Sequence, residues 1–297
     1  MKVISHKLLY EVADLFEYLS KKCVGLAQKL TIKENASAQF CSLNWEKLTS
    51  CYVLSTGRCG TKLLNQILLI SHNSYPVHKP IPELISSSKR AYETLSHNPE
   101  IYEETFRASR EDYLLHAAVR DKIYIETNNK ITFFAPVIKD ILPNSIFIHL
   151  VRHPGDFVRS GIRRKWYSDN HDYDYGRIHP ITNPVNERWD HFNQIEKIGW
   201  LWNETNQYIE NFKKELPAKR IIFVKAEDLF DNIEVSREIY KFIGLNDFNE
   251  KVISKLIKKP VNAQSKGIFP KYRDWDESAK AQLRAVAKLA TKYNYAL

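Results

Sequence analysis

The sequence predicts an α/β fold in which a central parallel sheet carries helices on both faces. Short β-rich apolar runs recur along the chain, and a helical pattern follows each of them. The runs are apolar throughout and do not alternate with polar residues, as strands buried on both faces require. At 297 residues the chain is long enough to bury a full core. It has no internal repeat, low-complexity run or clear linker, so one domain over residues 46–297 is expected, behind a helical extension over residues 1–45.

In the extension, Leu8, Val12, Leu15, Leu19 and Leu26 recur near helical spacing with charges between them. That stripe suits packing on the domain, with a homodimer contact as the alternative. The first strand is CYVLS (51–55), followed by a Gly-containing turn and the helix TKLLNQILLI. KIYIE (122–126) is the second, with a helix over ITFFAPVIKDIL. SIFIHLV (145–151) is the third, and Pro154 opens the next helix at the first position, where its missing N–H costs nothing. RIIFVKA (220–226) is the fourth, with a helix through EVSREIYKFIGL that stops at Gly244.

Lys and Arg number 44 against 35 Asp and Glu, a net charge of +9 that favours an anionic partner. No stretch is apolar for long enough to span a bilayer. Glu11 and Asp14 interrupt the N-terminal apolar run, so no secretory signal is expected. Cys23, Cys41, Cys51 and Cys59 show no metal-ligand or redox spacing and read as free thiols of a reducing, cytoplasmic compartment. His171, His179 and His191 lack ligand spacing too, and no metal is expected.

Two segments carry the chemistry. Thr56-Gly57-Arg58-Cys59-Gly60-Thr61-Lys62 lies between a strand and a helix. Its glycines let backbone curl around an anion, the helix start offers free amides, and Arg58 and Lys62 supply charge. The Walker A pattern is absent: the glycines are closer, and no hydroxyl follows Lys62 to hold magnesium. In the second segment, Ile148 to Ser160, Arg152 stands where the strand ends and Ser160 falls nearly two turns into the next helix. A guanidinium and a hydroxyl can converge there on a second phosphate.

STGRCGTKLL resembles the 5'-phosphosulfate loop of the sulfotransferase superfamily, and LVRHPGDFVRSG resembles its 3'-phosphate motif. VKAEDLFDNIEVSREIYKFIGL and SKGIFPKYRDW are similar to later segments of that family, so the resemblance covers roughly residues 50–280. It implies a P-loop-like sulfotransferase fold. The implied donor is 3'-phosphoadenosine 5'-phosphosulfate (PAPS), with 3'-phosphoadenosine 5'-phosphate (PAP) as product and no metal. Thr56, Gly57, Arg58, Cys59, Gly60, Thr61 and Lys62 would then hold the 5' end. Arg152 and Ser160 would take the 3'-phosphate with Lys266 and Gly267, and Arg58 would also stabilise the leaving group.

An acceptor hydroxyl or amine needs a base, and His78, Glu126 and Glu83 are the candidates in that order. Family members often show His-Glu-Pro where this chain has His78-Lys79-Pro80. The stretch 165–192, rich in aromatics and histidines, suits a lid or acceptor platform. The acceptor class, anionic or carbohydrate among others, stays open. The rival readings are a P-loop kinase or NTPase, a degenerate nucleotide binder, and a binder of polyanions. The kinase lacks its magnesium hydroxyl, and a polyanion or nucleic-acid binder would not need two ordered phosphate motifs.

Overall fold

A computed structural model describes residues 44–168, 174–181, 185–258 and 269–297, together with Leu19 and Lys22. The expected helical extension otherwise lies outside these residues, as do Cys23, Cys41, Lys266, Gly267 and His171. The architecture below belongs to the compact unit Trp45–Leu297.

Five parallel strands form one sheet: β1 (Ser50–Leu54), β2 (Ser74–Val77), β3 (Ile123–Glu126), β4 (Ile146–Val151) and β5 (Ile221–Lys225), in the order β2-β3-β1-β4-β5. Four of the five coincide with apolar runs visible in the sequence. The fifth, β2, is only four residues long and contains Pro76, which argues against a strand. It sits at the sheet edge, where a missing N–H is tolerated.

The first half of the chain contributes α1 (Thr61–Leu68), α2 (Ile85–Thr94), α3 (Pro99–Val119), α4 (Ala135–Ile141) and α5 (Pro154–Ile162). The second half adds α6 (Val185–Arg188), α7 (Gln194–Lys213), α8 (Ala226–Asp231) and α9 (Ile233–Ile243), then α10 (Glu250–Ile257), α11 (Glu277–Val286) and α12 (Leu289–Lys292). The helix expected over 131–142 is divided. A 3-10 turn, Asn129–Phe134, is capped by Asn128 Oδ1 and leads into α4. Pro136 explains the division, because it cannot donate back into the preceding turn. Among the described residues no helix is long and apolar enough to cross a membrane.

The strands separate two kinds of core, since alternate side chains point to opposite faces. Cys51, Val53, Ile125, Ile148 and Leu150 share an aliphatic cluster with Leu64 and Ile67 of α1 and with Ile239 and Ile243 of α9. Tyr52 points the other way, onto Phe106 of α3 at 6.0 Å between ring centres, and Phe147 meets Phe212 of α7 at 5.0 Å. Both faces are covered, which is why the runs show no polar alternation.

One charged pair is set into the aromatic side. Glu126, at the end of β3, and Arg110 of α3 are both fully buried. Arg110 donates through Nε (2.8 Å) and Nη2 (2.9 Å), one bond to each carboxylate oxygen. Tyr124 OH and Asn128 Nδ2 add donors at 2.9 and 3.2 Å. Arg110 Nη1 also reaches the Pro82 carbonyl at 3.0 Å, so the pair joins α3, β3 and the segment after β2. Replacing Arg110 by Met should leave a buried, uncompensated carboxylate and cost about 3–5 kcal/mol in urea unfolding. Arg237→Met, which removes the exposed partner of Glu234, should cost far less in the same measurement.

Candidate functional site

The strand order sets the location of the site. β1 lies between β3 and β4. The chain leaves β1 toward one edge and β4 toward the other, so the following loops part at the carboxyl ends of these strands. Open parallel sheets bind ligands in that crevice. Both sequence motifs open onto it.

The loop after β1 is held from behind. Ser55 N donates to Thr132 Oγ1, and the Thr132 hydroxyl donates back to the Ser55 carbonyl, both at 3.1 Å. Gly57, Arg58 and Gly60 all have positive φ, at 79°, 59° and 88°. Gly60 precedes α1 with no side-chain cap, so the first amides of that helix are left for another acceptor. Thr61 and Lys62 form its first turn. Thr56 and Cys59 turn inward: their side chains lie 3.2 Å apart, and Cys59 Sγ donates to the Gly57 carbonyl at 3.0 Å. Burial pushes the Cys59 thiol up to about 11, so it stays protonated and serves the loop.

Arg152 follows the last residue of β4. His153 caps α5 by accepting from Gly155 N at 3.1 Å. Its own amide donates to Glu227 of α8 at 2.9 Å, and Tyr295 OH holds the other Glu227 oxygen at 2.8 Å.

The two motifs meet at Ser160. Arg58 Nε donates to Ser160 Oγ at 3.3 Å, and Arg152 Nη1 donates to the Arg58 carbonyl at 3.0 Å. Arg164, one turn beyond Ser160, donates to the same hydroxyl at 2.7 Å. Arg164 was not among the residues singled out from the sequence, although a serine followed four residues later by arginine is a legible helical pair. Arg152 Nε is buried without a partner, and Asp156 approaches that guanidinium only to 3.8 Å. Burial, and then the charge of Arg152, lower the Arg58 pKa. Burial with the charges of Arg58, Arg163 and Arg152 brings Arg164 down to about 10. Like charges crowded in this way suit an anion of more than one charge.

His78 follows β2. Its Nδ1 lies 3.2 Å from the Thr127 carbonyl and 3.0 Å from Thr127 Oγ1, whose own hydroxyl donates to Asn65 Oδ1 of α1 at 3.2 Å. A carbonyl only accepts, so this network assigns the proton to Nδ1 and leaves the Nε2 lone pair free. Burial lowers the His78 pKa, and Lys79 and Lys62 push it the same way. Glu83 pairs with Lys79 at 3.2 Å in a partly exposed loop, and Glu126 is the buried partner of Arg110. In the aromatic stretch, Arg177 stacks 4.0 Å over Trp166, while His179 packs edge-on to Tyr167 and Trp189.

A family model described as the sulfotransferase family matches residues 51–250. Among solved structures, the sulfotransferase domain from the curacin biosynthetic pathway is 16% identical at a TM-score of 0.50, with 84% of this chain and 99% of that one covered. The sulfotransferase domain from the Synechococcus PCC 7002 olefin synthase is 18% identical at a TM-score of 0.47, with 84% and 95% covered. A sulfotransferase from Mycobacterium tuberculosis H37Rv is 11% identical at 0.45, with 80% and 77% covered. At 16% identity the likeness to the curacin-pathway domain concerns the fold alone. No curated protein sequence matches the chain.

The loop has a direct stability test. A Cβ on Gly60 would stand 2.5 Å from Phe230 Cε1 of α8, at a φ of 88° that L residues rarely adopt. Gly60→Ala should therefore cost about 1–3 kcal/mol in chemical denaturation. Gly244→Ala, also at positive φ but with open space around it, should cost less.

Proposed function

The chain belongs to the sulfotransferase family, and we propose that it transfers a sulfuryl group from PAPS to a hydroxyl or amine of its acceptor. The observation that carries this reading is the junction at Ser160. Two segments about a hundred residues apart in sequence bring Arg58 and Arg164 onto one hydroxyl and tie Arg152 to the Arg58 carbonyl, beside an uncapped helix start. The unpartnered Arg152 Nε fits this donor, because a 3'-phosphate offers the acceptor oxygens that the protein leaves out.

The donor supplies an activated sulfuryl group on a phosphate leaving group. The residues bind and orient it, since a loose in-line displacement depends mostly on positioning and charge. The α1 amides with Thr61 and Lys62 hold the 5' end. Arg58 lies between the two anionic ends and neutralises charge as it builds on the leaving oxygen. Arg152, Ser160 and Arg164 hold the 3'-phosphate, joined in this reading by Lys266 and Gly267.

His78 is the base. It keeps a free lone pair on Nε2 and stands close enough to Lys62 of the loop to feel its charge. Both oxygens of Glu126 are engaged in the core, and Glu83 is paired with Lys79. The Asn65–Thr127 relay fixes the imidazole tautomer and leaves Nε2 to accept the acceptor proton.

Calorimetry with PAP and PAPS in the absence of magnesium tests the donor. Both should bind well below the dissociation constant for ATP, and Arg152→Ala should weaken PAP by about 10–100-fold. Magnesium-dependent ATP binding, or no discrimination between PAP and ATP, would overturn the assignment.

The base is tested by pH. Because His78 must be neutral to accept a proton and its pKa is lowered, activity should be flat above neutrality and fall on acidification. The midpoint should lie below the ordinary histidine value of 6.5. His78→Gln should lower kcat by about 10²–10⁴ and remove that limb, while PAP affinity stays unchanged. Persistence of the acid limb in the variant would give the proton to another group.

A further inference from the structure

Beside the loop after β1 is a small, half-enclosed cavity of about 40 Å³. Ser55 and Thr56 of the loop form one wall, and Ser88, Asn129, Lys130 and Arg177 close the others. Asn129 lies directly against Gly57, so the cavity and the phosphate loop share a partition. A single water needs roughly 10–15 Å³ of such volume. The space therefore takes a group of a few heavy atoms and excludes a sugar ring.

Lys130 is out of place by the ordinary rules of burial. Its ammonium has one hydrogen bond, to the Gly176 carbonyl at 3.3 Å, and no ion pair with a carboxylate among the described residues. Burial, with the charges of Arg177 and Lys79, lowers its pKa to about 8, and the more weakly acting Glu83 carboxylate offsets only part of this. Arg177 is already occupied by Asp174 and by the Trp166 ring. A largely enclosed ammonium with no carboxylate in hydrogen-bond contact works against folding, and the neighbouring guanidinium adds to that. An anion in the cavity would satisfy Lys130 and would stand immediately behind the donor loop.

We propose that this cavity is an anion subsite for the acceptor, where Lys130 anchors a small oxyanion end group (carboxylate, sulfate or phosphate) beside the donor loop. This rests on the donor reading above and narrows the acceptor to molecules carrying such a group. The net charge of +9 favours the approach of that class.

The test is thermal unfolding of the PAP-saturated chain in sulfate and in acetate, each against chloride at matched ionic strength. Wild type and Lys130→Met are compared. Both probes should stabilise the wild type in a saturating manner, and apparent affinity should fall about tenfold or more in the variant. In chloride the variant should melt no lower than the wild type, because Met removes a largely enclosed charge that no carboxylate contacts directly.

Equal responses in the two proteins, or no response, would overturn the proposal. So would a variant that melts well below the wild type in chloride, since Lys130 would then be structural. A Lys130-dependent response to sulfate alone would assign the cavity to the sulfuryl group of the donor and overturn the acceptor subsite. Failure of PAP to bind the wild type would instead defeat the donor reading. The same titrations on nucleotide-free Arg152→Ala chains, with and without Lys130→Met, would then decide the cavity by the same criteria.

Discussion

The site depends on holding positive charges together where no counterion neutralises them fully. Arg58 and Arg164 meet at Ser160 with Arg152 bound to the Arg58 carbonyl, and each is partly removed from water. Left to themselves these guanidinium groups would separate, so rigid backbone on two sides must keep them in place. The Thr132–Ser55 bonds fix the first side. Glu227 and Trp202 fix the second: Glu227 takes the His153 amide, and Trp202 Nε1 donates to the Arg152 carbonyl at 2.9 Å. The fold holds the repulsion in reserve for an anion to relieve.

That demand explains the material around the crevice. Aliphatic and aromatic layers on opposite faces give β1 and β4 little freedom to shift. The Glu126–Arg110 pair anchors β3 and the segment after β2, from which His78 projects. Glu126 is thus a structural anchor of the segment that carries His78. It stands two residues before Asn128, which caps the 3-10 turn and leads directly to Lys130. A carboxylate at a strand end invites a catalytic reading, but the side chains that claim its oxygens decide its use.

Much of this was legible in the sequence because the signals are local. Glycines at 57 and 60, the apolar run ending at Val151 and Pro154 after it all report on backbone within a few residues. They placed four strands and both phosphate segments. The strand β2 escaped because Pro76 is acceptable only at an edge, and edge status is a property of the whole sheet. Arg110 escaped because nothing near it in sequence says that helix α3 crosses behind β3. Lys130 escaped for a related reason: one lysine among forty-four Lys and Arg is unremarked until its surroundings are known. For His78 the sequence offered the residue, and the contacts to Thr127 and Asn65 supplied its tautomer.

The sheet order has a consequence for assembly. Residues of β1 pair with Tyr124 on one side and with Ile146 on the other, so the central strand gains its neighbours only after long stretches of chain are in place. Such connections fold slowly, because loop closure precedes any gain from the contact. The loop after β1 leaves the ribosome about a hundred residues ahead of Ser160. A growing chain therefore carries half of the arginine cluster while about a hundred further residues are added. Assembly of the Ser160 junction belongs to a late stage of folding, when the two halves of the sheet close on each other.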